Sequence, residues 1–123
     1  MRFESTFRSI RSAPGEAREL IRARIGARVP APTLADTLTV VSELVENGVI
    51  HGQGEEVRVC IEVLPDKVIG EVQNDGYAEI KHVEPDPRSL RGLGLHIVAA
   101  VASNWRTKYG VGTTAVRFEV WYA

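Results

Sequence analysis

Residues 57–63 read Val-Arg-Val-Cys-Ile-Glu-Val, with an apolar side chain at each odd position and a polar or small one between. Successive strand residues point to opposite faces, so this run fits a strand with one face buried and fits a helix poorly. Pro65-Asp66 follows as a tight turn, and Lys67 to Gln73 continues as a second strand, which makes a hairpin. Asn74-Asp75-Gly76 ends that strand with turn chemistry. A second hairpin is expected where Trp105–Tyr109 and Thr113–Trp121 flank Gly110-Val111-Gly112, and Phe3–Phe7 alternates as a short strand. A sheet with a buried face needs something to cover it.

Three segments have the spacing to do so. Ser12-Ala13-Pro14 reads as a helix start, because proline is tolerated in a first turn, and Ala17, Leu20, Ile21 and Ile25 form its apolar stripe. Pro30-Ala31-Pro32 breaks it. A second helix is expected from Thr33, where the hydroxyl and Asp36 form a capping-box pattern, with Leu34, Leu38, Val41, Val45 and Val49 along one arc. Leu95, Val98, Ala99 and Ala102 place a third helix directly after the glycines at 92 and 94. Antiparallel strands with helices between them predict an α+β fold, a two-layer α/β sandwich with helices on one face of a mixed, mainly antiparallel sheet.

At 123 residues the chain suits a single domain. Its 44% apolar and 25% charged composition is that of a globular protein, and a net charge of −1 gives no footprint for nucleic acid or an anionic membrane. The single cysteine, Cys60, excludes an internal disulfide and fits a reducing compartment. No apolar stretch near Met1-Arg2-Phe3-Glu4-Ser5 is long enough for a signal peptide or a membrane span, so a cytoplasmic location is expected.

The polar residues of the second helix carry the chemical information. Glu43 and Asn47 are spaced i, i+4, one turn apart on one face, away from the expected apolar stripe. A carboxylate can take a proton or order water, and a carboxamide oxygen can meet a hard cation. Arg91-Gly92-Leu93-Gly94-Leu95 ahead of a helix can cradle phosphate, through close backbone approach and the N–H groups of a helix N-terminus. It matches neither a dinucleotide fingerprint, since Ile97 stands where a third glycine belongs, nor a Walker loop. Each segment also has a plain reading: an exposed helix face, a helix end at His51-Gly52, a strand-ending turn, a glycine-rich turn.

Together, Glu43-x-x-x-Asn47, Asn74-Asp75-Gly76, Gly92-Leu93-Gly94-Leu95 and Gly112-Thr113-Thr114 come in an order that resembles the ATP-binding (Bergerat-type, GHKL) domain of gyrase, heat-shock chaperones, histidine kinases and mismatch-repair ATPases. The resemblance runs from about Phe3 to Tyr122. Within that superfamily, Val41 to Gly52 is most similar to the bacterial anti-sigma-factor serine kinases, which are compact cytoplasmic domains. The resemblance implies a single ATP-binding domain over residues 1–123, with ATP and magnesium as cofactors. It implies that Glu43 is the general base or water-orienting acid and that Asn47 is the magnesium ligand. The turn at Asn74 and Gly76 would meet adenine, with Thr113 beside it. Arg91, Gly92, Gly94 and Leu95 would form the phosphate side, and Tyr77–Leu90 a lid. It further implies a sigma factor and a small anti-anti-sigma (STAS) protein as partners, the latter phosphorylated on serine, and pairing into a homodimer.

The sequence departs from the family pattern at three places. Asn74 stands where an aspartate is usual; its oxygen can still accept from the adenine amino group, without charge assistance. Ala78 replaces a second glycine, and Gly48 replaces an alanine at about 1 kcal/mol of helix propensity. Two alternatives follow. One is a non-catalytic module that binds partners and holds nucleotide weakly or not at all. The other is a stand-alone histidine-kinase-type ATPase domain, against which none of His51, His82 and His96 precedes the ATP motifs in a dimerising hairpin.

Overall fold

This computed structural model describes residues 1–76 and 90–123, and in the third helix the side chains from residue 96 onward. The elements follow in the order β1 (Arg2–Arg8), α1 (Ala13–Ile25), α2 (Ala31–His51), β2 (Glu56–Val63), β3 (Lys67–Asp75), α3 (Leu90–Val101), β4 (Asn104–Gly110) and β5 (Thr113–Trp121). The strands form one sheet in the order β1-β2-β3-β5-β4. All its pairings are antiparallel, so the mixed sheet expected from the sequence is antiparallel throughout. The reason is topological: the long connections of the chain bring each strand in against a neighbour of opposite direction, and the others are tight hairpins.

Strand alternation sets the two faces. Val57, Val59, Ile61, Val68, Val72, Val116, Phe118 and Val120 are buried on the helix side. The other face carries charge, including Lys108 Nζ 3.2 Å from Glu71 Oε1 and Lys67 Nζ 3.5 Å from Glu119 Oε1. Gly70 pairs with Phe118 across β3 and β5, and the fully buried Phe118 ring occupies the space where a side chain at 70 would be.

Helix α2 packs chiefly over β3, with α1 on its β1 side and α3 on its β4 side. In α1, Ala13, Ala17, Ile21 and Ile25 recur every fourth position and are all buried, and Arg18 Nη1 donates to Ser42 Oγ at 3.0 Å, joining α1 to α2. Helix α2 differs from its sequence reading in two ways. It begins at Ala31 behind an extended Pro30 (ψ 149°), without a side-chain cap, so Thr33 lies inside the first turn and no capping box forms. The helix can start there because the N–H that Pro32 lacks would have had no helical partner. The buried arc is also broader than the expected stripe. It takes in Thr33, Thr37, Val40, Leu44, Asn47 and Gly48 beside Leu38, Val41 and Val45, while Leu34 and Val49 are only partly covered. A central helix has the sheet below and a helix on each side, so only a narrow strip of it meets solvent. Its hydroxyls enter the core by bonding back one turn, as in Thr37 Oγ1 to Thr33 O at 2.8 Å.

Candidate functional site

The end of α2 presses on the end of β3, and glycines make the approach possible. A Cβ at Gly48 would lie 3.3 Å from Val57 Cγ2 and 3.6 Å from Asn74 Cβ. At Gly52 it would lie 3.1 Å from Asn74 Nδ2 and would overlap the Gly48 carbonyl oxygen. The glycine that departs from the resemblance at 48 therefore sits at a close helix–sheet contact of this corner. Beneath it, Asn74 is 5% exposed.

The turn after Asn74 is tied from both sides. Gly76 has φ +94°, a conformation that favours glycine, and a Cβ there would meet Gln53. Its carbonyl accepts from Thr114 Oγ1 at 2.8 Å, and its N–H donates to Gly112 O at 2.7 Å. The Asp75 carbonyl accepts from Gln53 N–H at 3.1 Å and from Asn74 Nδ2 at 3.3 Å. The turn is thus held by the α2–β2 loop on one side and by the β4–β5 hairpin on the other.

Strand parity separates the two threonines of the Gly112-Thr113-Thr114 segment. Thr114 pairs with Asn74 on the helix face and is fully buried, whereas Thr113 pairs with Asp75 on the open face. Thr114 was the residue missed from sequence, and counting alternation back from Val116, Phe118 and Val120 would have found it.

Glu43 and Asn47 lie on the flank of α2 opposite Ser42, hence on the α3 side, by stepping about 100° per residue from the Ser42–Arg18 bond. Asn47 is 9% exposed, inside the covered arc and immediately before Gly48, so it is buried and not among the solvated residues. Glu43 is half-buried, one turn earlier. Burial, and then the charge of Glu46, push the Glu43 carboxyl above its ordinary pKa.

Arg91, Gly92, Gly94 and Leu95 belong to the first turns of α3 and not to a loop ahead of it. Leu90, Leu93 and Leu95 are good helix formers and offset a glycine cost of about 1 kcal/mol each. Helix α3 packs along α2, and β4 follows it from the far end of the sheet, where Asn104 pairs with Glu119. The first turn of α3, whose N–H groups have no partner within the helix, therefore sits at the same end as Asn47 and Asn74. The expected lid, with Tyr77, Ala78 and His82, lies outside the described residues apart from Leu90.

In a comparison with solved structures the chain superposes, at a TM-score of 0.76, on the structure of the RsbU and RsbW domains of Rv1364c from Mycobacterium tuberculosis, with 21% identity over 98% of this chain and 32% of that one. The Acinetobacter baumannii histidine kinase AdeS matches at a TM-score of 0.56, with 10% identity over 97% of this chain and 67% of the other. The chain shares the fold of these two structures. No model of a known protein family matches the chain, and no curated protein matches it. Against the first of the two structures the chain spans about a third of the other protein's length. No helix among the described residues is long and apolar enough to cross a membrane.

Proposed function

We propose that this chain binds ATP with magnesium at the corner between α2, the Asn74–Gly76 turn and the start of α3, and acts as an anti-sigma factor and protein serine kinase. It would bind a sigma factor and phosphorylate an anti-anti-sigma (STAS) partner on serine, in the cytoplasm, working as a homodimer. The observation that carries the reading is the burial of Asn47, Asn74 and Thr114 at one end of a sheet whose remaining inner face is apolar, in a fold shared with an RsbW-containing structure. Buried polar side chains cost stability, and their gathering at one corner fits a ligand that uses them.

The oxygen donors fit magnesium. Asn47 offers a neutral carboxamide oxygen one turn from the Glu43 carboxylate, and this ion takes one or two protein oxygens, with phosphate and water filling the rest of its sphere. Held through Asn47, it would neutralise charge on the phosphates. Glu43 takes the proton of the serine hydroxyl as the serine oxygen bonds to the γ-phosphorus and the bond to the β-phosphate oxygen breaks, releasing ADP. Its raised pKa makes it the stronger base and moves the acid limb of activity upward in pH. Asn74 and the Gly76 turn would receive the adenine. Thr114, not Thr113, supports the turn from the neighbouring strand. Arg91, Gly92, Gly94 and Leu95 would present the phosphate side from the N-terminus of α3.

The test is the purified protein with ATP, magnesium and the STAS protein encoded beside it. Serine phosphate on the partner is expected, falling by about 100-fold or more in Glu43→Ala. Transfer unchanged in Glu43→Ala removes Glu43 from the mechanism. Tight partner binding with no nucleotide binding by calorimetry replaces the kinase reading with the non-catalytic one.

A further inference from the structure

The open face of the sheet, turned away from the helices, is unevenly charged. Over β1 and β2, strand parity places Arg2, Arg8 and Arg58 there against Glu4, Glu56 and Glu62, which balance. Over β3, β5 and β4 it places Lys67, Arg106, Lys108 and Arg117 against Glu71, Glu119 and, at the corner end, Asp75. The nearer carboxylates are already engaged. Glu71, opposite Arg117 on β3, instead meets Lys108 Nζ at 3.2 Å. Glu119 accepts from Trp121 Nε1 at 2.8 Å and lies 3.5 Å from Lys67 Nζ. Arg106 and Arg117 remain, and among the described residues neither forms an ion pair. They stand directly opposite one another in the β4–β5 register, where Cβ atoms are about 5 Å apart and like charges destabilise a sheet. Beside them lies a hollow of about 190 Å³, lined also by Asn104, Trp105 and Glu119.

Among the described residues β4 is also an end strand of the sheet. Alternate residues of an end strand turn their backbone N–H and C=O groups outward, where an added strand can pair with them. Charge on such an edge commonly repels other edges. Any charge on β4 meets that need, and it gives no reason for a second arginine opposite Arg106. We propose that the outer edge of β4 is a docking site for an extended acidic segment of a partner protein, which adds as a sixth strand. Carboxylates at alternate positions of the segment fall beside Arg106 and Lys108, and the one beside Arg106 supplies the counter-charge that the two arginines lack. The positions between lie beside Trp105, Thr107 and Tyr109 on the other face, where apolar side chains suit the exposed Tyr109 ring. Backbone pairing supplies affinity, and side-chain alternation supplies selectivity. The site is separate from the proposed nucleotide corner, whose Asn74 and Thr114 are buried on the helix side.

Fluorescence anisotropy with a labelled eight-residue peptide of alternating glutamate and valine tests the site. Saturable binding is expected, weakening as salt rises and about tenfold or more weaker in Arg106→Glu and Arg117→Glu. Arg58→Glu, on the balanced half of the same face, should bind as wild type does. Arg106→Glu should also melt about 1–3 °C above wild type, because it turns a like-charge pair into an opposite-charge one, so its lost binding is not lost folding. A peptide methylated at every backbone nitrogen should not bind, since it cannot pair with β4. Equal binding of that peptide overturns strand addition, and unchanged binding in Arg106→Glu overturns the charge argument. A peptide of the same composition with its glutamates grouped, binding as well as the alternating one, overturns the side-chain register. A single-stranded oligonucleotide that binds more tightly than the peptide makes the patch a general anion surface and overturns the proposal. No binding to wild type leaves Arg106 as a guard of the edge and overturns it also.

Discussion

Two places in this molecule bring backbone unusually close to a neighbouring element, and they fill the space gained in opposite ways. At the middle of the sheet, Gly70 leaves a gap that the Phe118 ring occupies, among Val68, Val72, Val116 and Val120. At the corner, Gly48 and Gly52 let α2 descend onto Asn74, with Asn47 and Thr114 buried nearby. The first close approach gains apolar burial, at roughly 25 cal/mol per Å². The second buries carboxamides and a hydroxyl, which at best offset their own desolvation through hydrogen bonds. One region holds the fold together and the other concedes stability to keep polar atoms in place, as the proposed nucleotide site requires.

The contrast is tested hardest at Gly70. A methyl group there overlaps the Phe118 ring, which is fully buried and has nowhere to move. Gly70→Ala should cost about 3 kcal/mol or more, lowering the melting temperature by about 10 °C, and adding Phe118→Leu should recover part of it. A loss under about 1 kcal/mol would mean that the middle of the sheet yields as readily as its end.

The next effect separates the two threonines at the head of β5. Thr114→Val removes the bond to the Gly76 carbonyl and should cost about 1–2 kcal/mol while weakening nucleotide binding through the loosened turn. Thr113→Val, on the open face, should be near neutral, since valine suits a strand. Equal effects on denaturant midpoints and on nucleotide affinity would remove the parity argument that assigns Thr114 to the corner.

What the sequence revealed follows the same division. Strand alternation at 57–63, the Pro65-Asp66 turn and the stripe of Ala17, Ile21 and Ile25 are local signals, and each led to the element observed. The overlap of Gly70 with Phe118 was not legible, because it depends on a register between strands far apart in sequence. The start of α2 was misread because Thr33 and Asp36 form a capping pattern, while two prolines permit an earlier start. The glycines at 92 and 94 are expected ahead of the third helix, as a phosphate cradle or a plain turn, but flanking leucines carry them into α3. At the corner, Glu43, Asn47, Asn74 and Gly76 were nominated through a resemblance in motif order. Asn47 was expected away from the apolar stripe, and only the packing of α1 and α3 on either side of α2 explains its burial.

The smallest effect carries the sharpest sign. Burial and Glu46 raise the Glu43 pKa above its ordinary value of 4.5, so the folded chain holds this proton more tightly than the unfolded one. Between 4.5 and the raised folded value the native state binds more protons, and its stability falls as pH rises through that window. Above the window the folded protein carries an ionised carboxylate that its surroundings disfavour. Glu43→Gln should therefore be no more stable than wild type at pH 4 and slightly more stable at pH 7.5, by about 0.5 kcal/mol once solvent screening of a half-buried group is discounted. The same variant should lose phosphotransfer, because an amide cannot take the serine proton. A residue whose removal raises stability and abolishes activity belongs to the region that concedes stability for chemistry. If Glu43→Gln instead loses stability at pH 7.5, the carboxylate is a supporting element of the fold, and the division between core and corner fails at its most important residue.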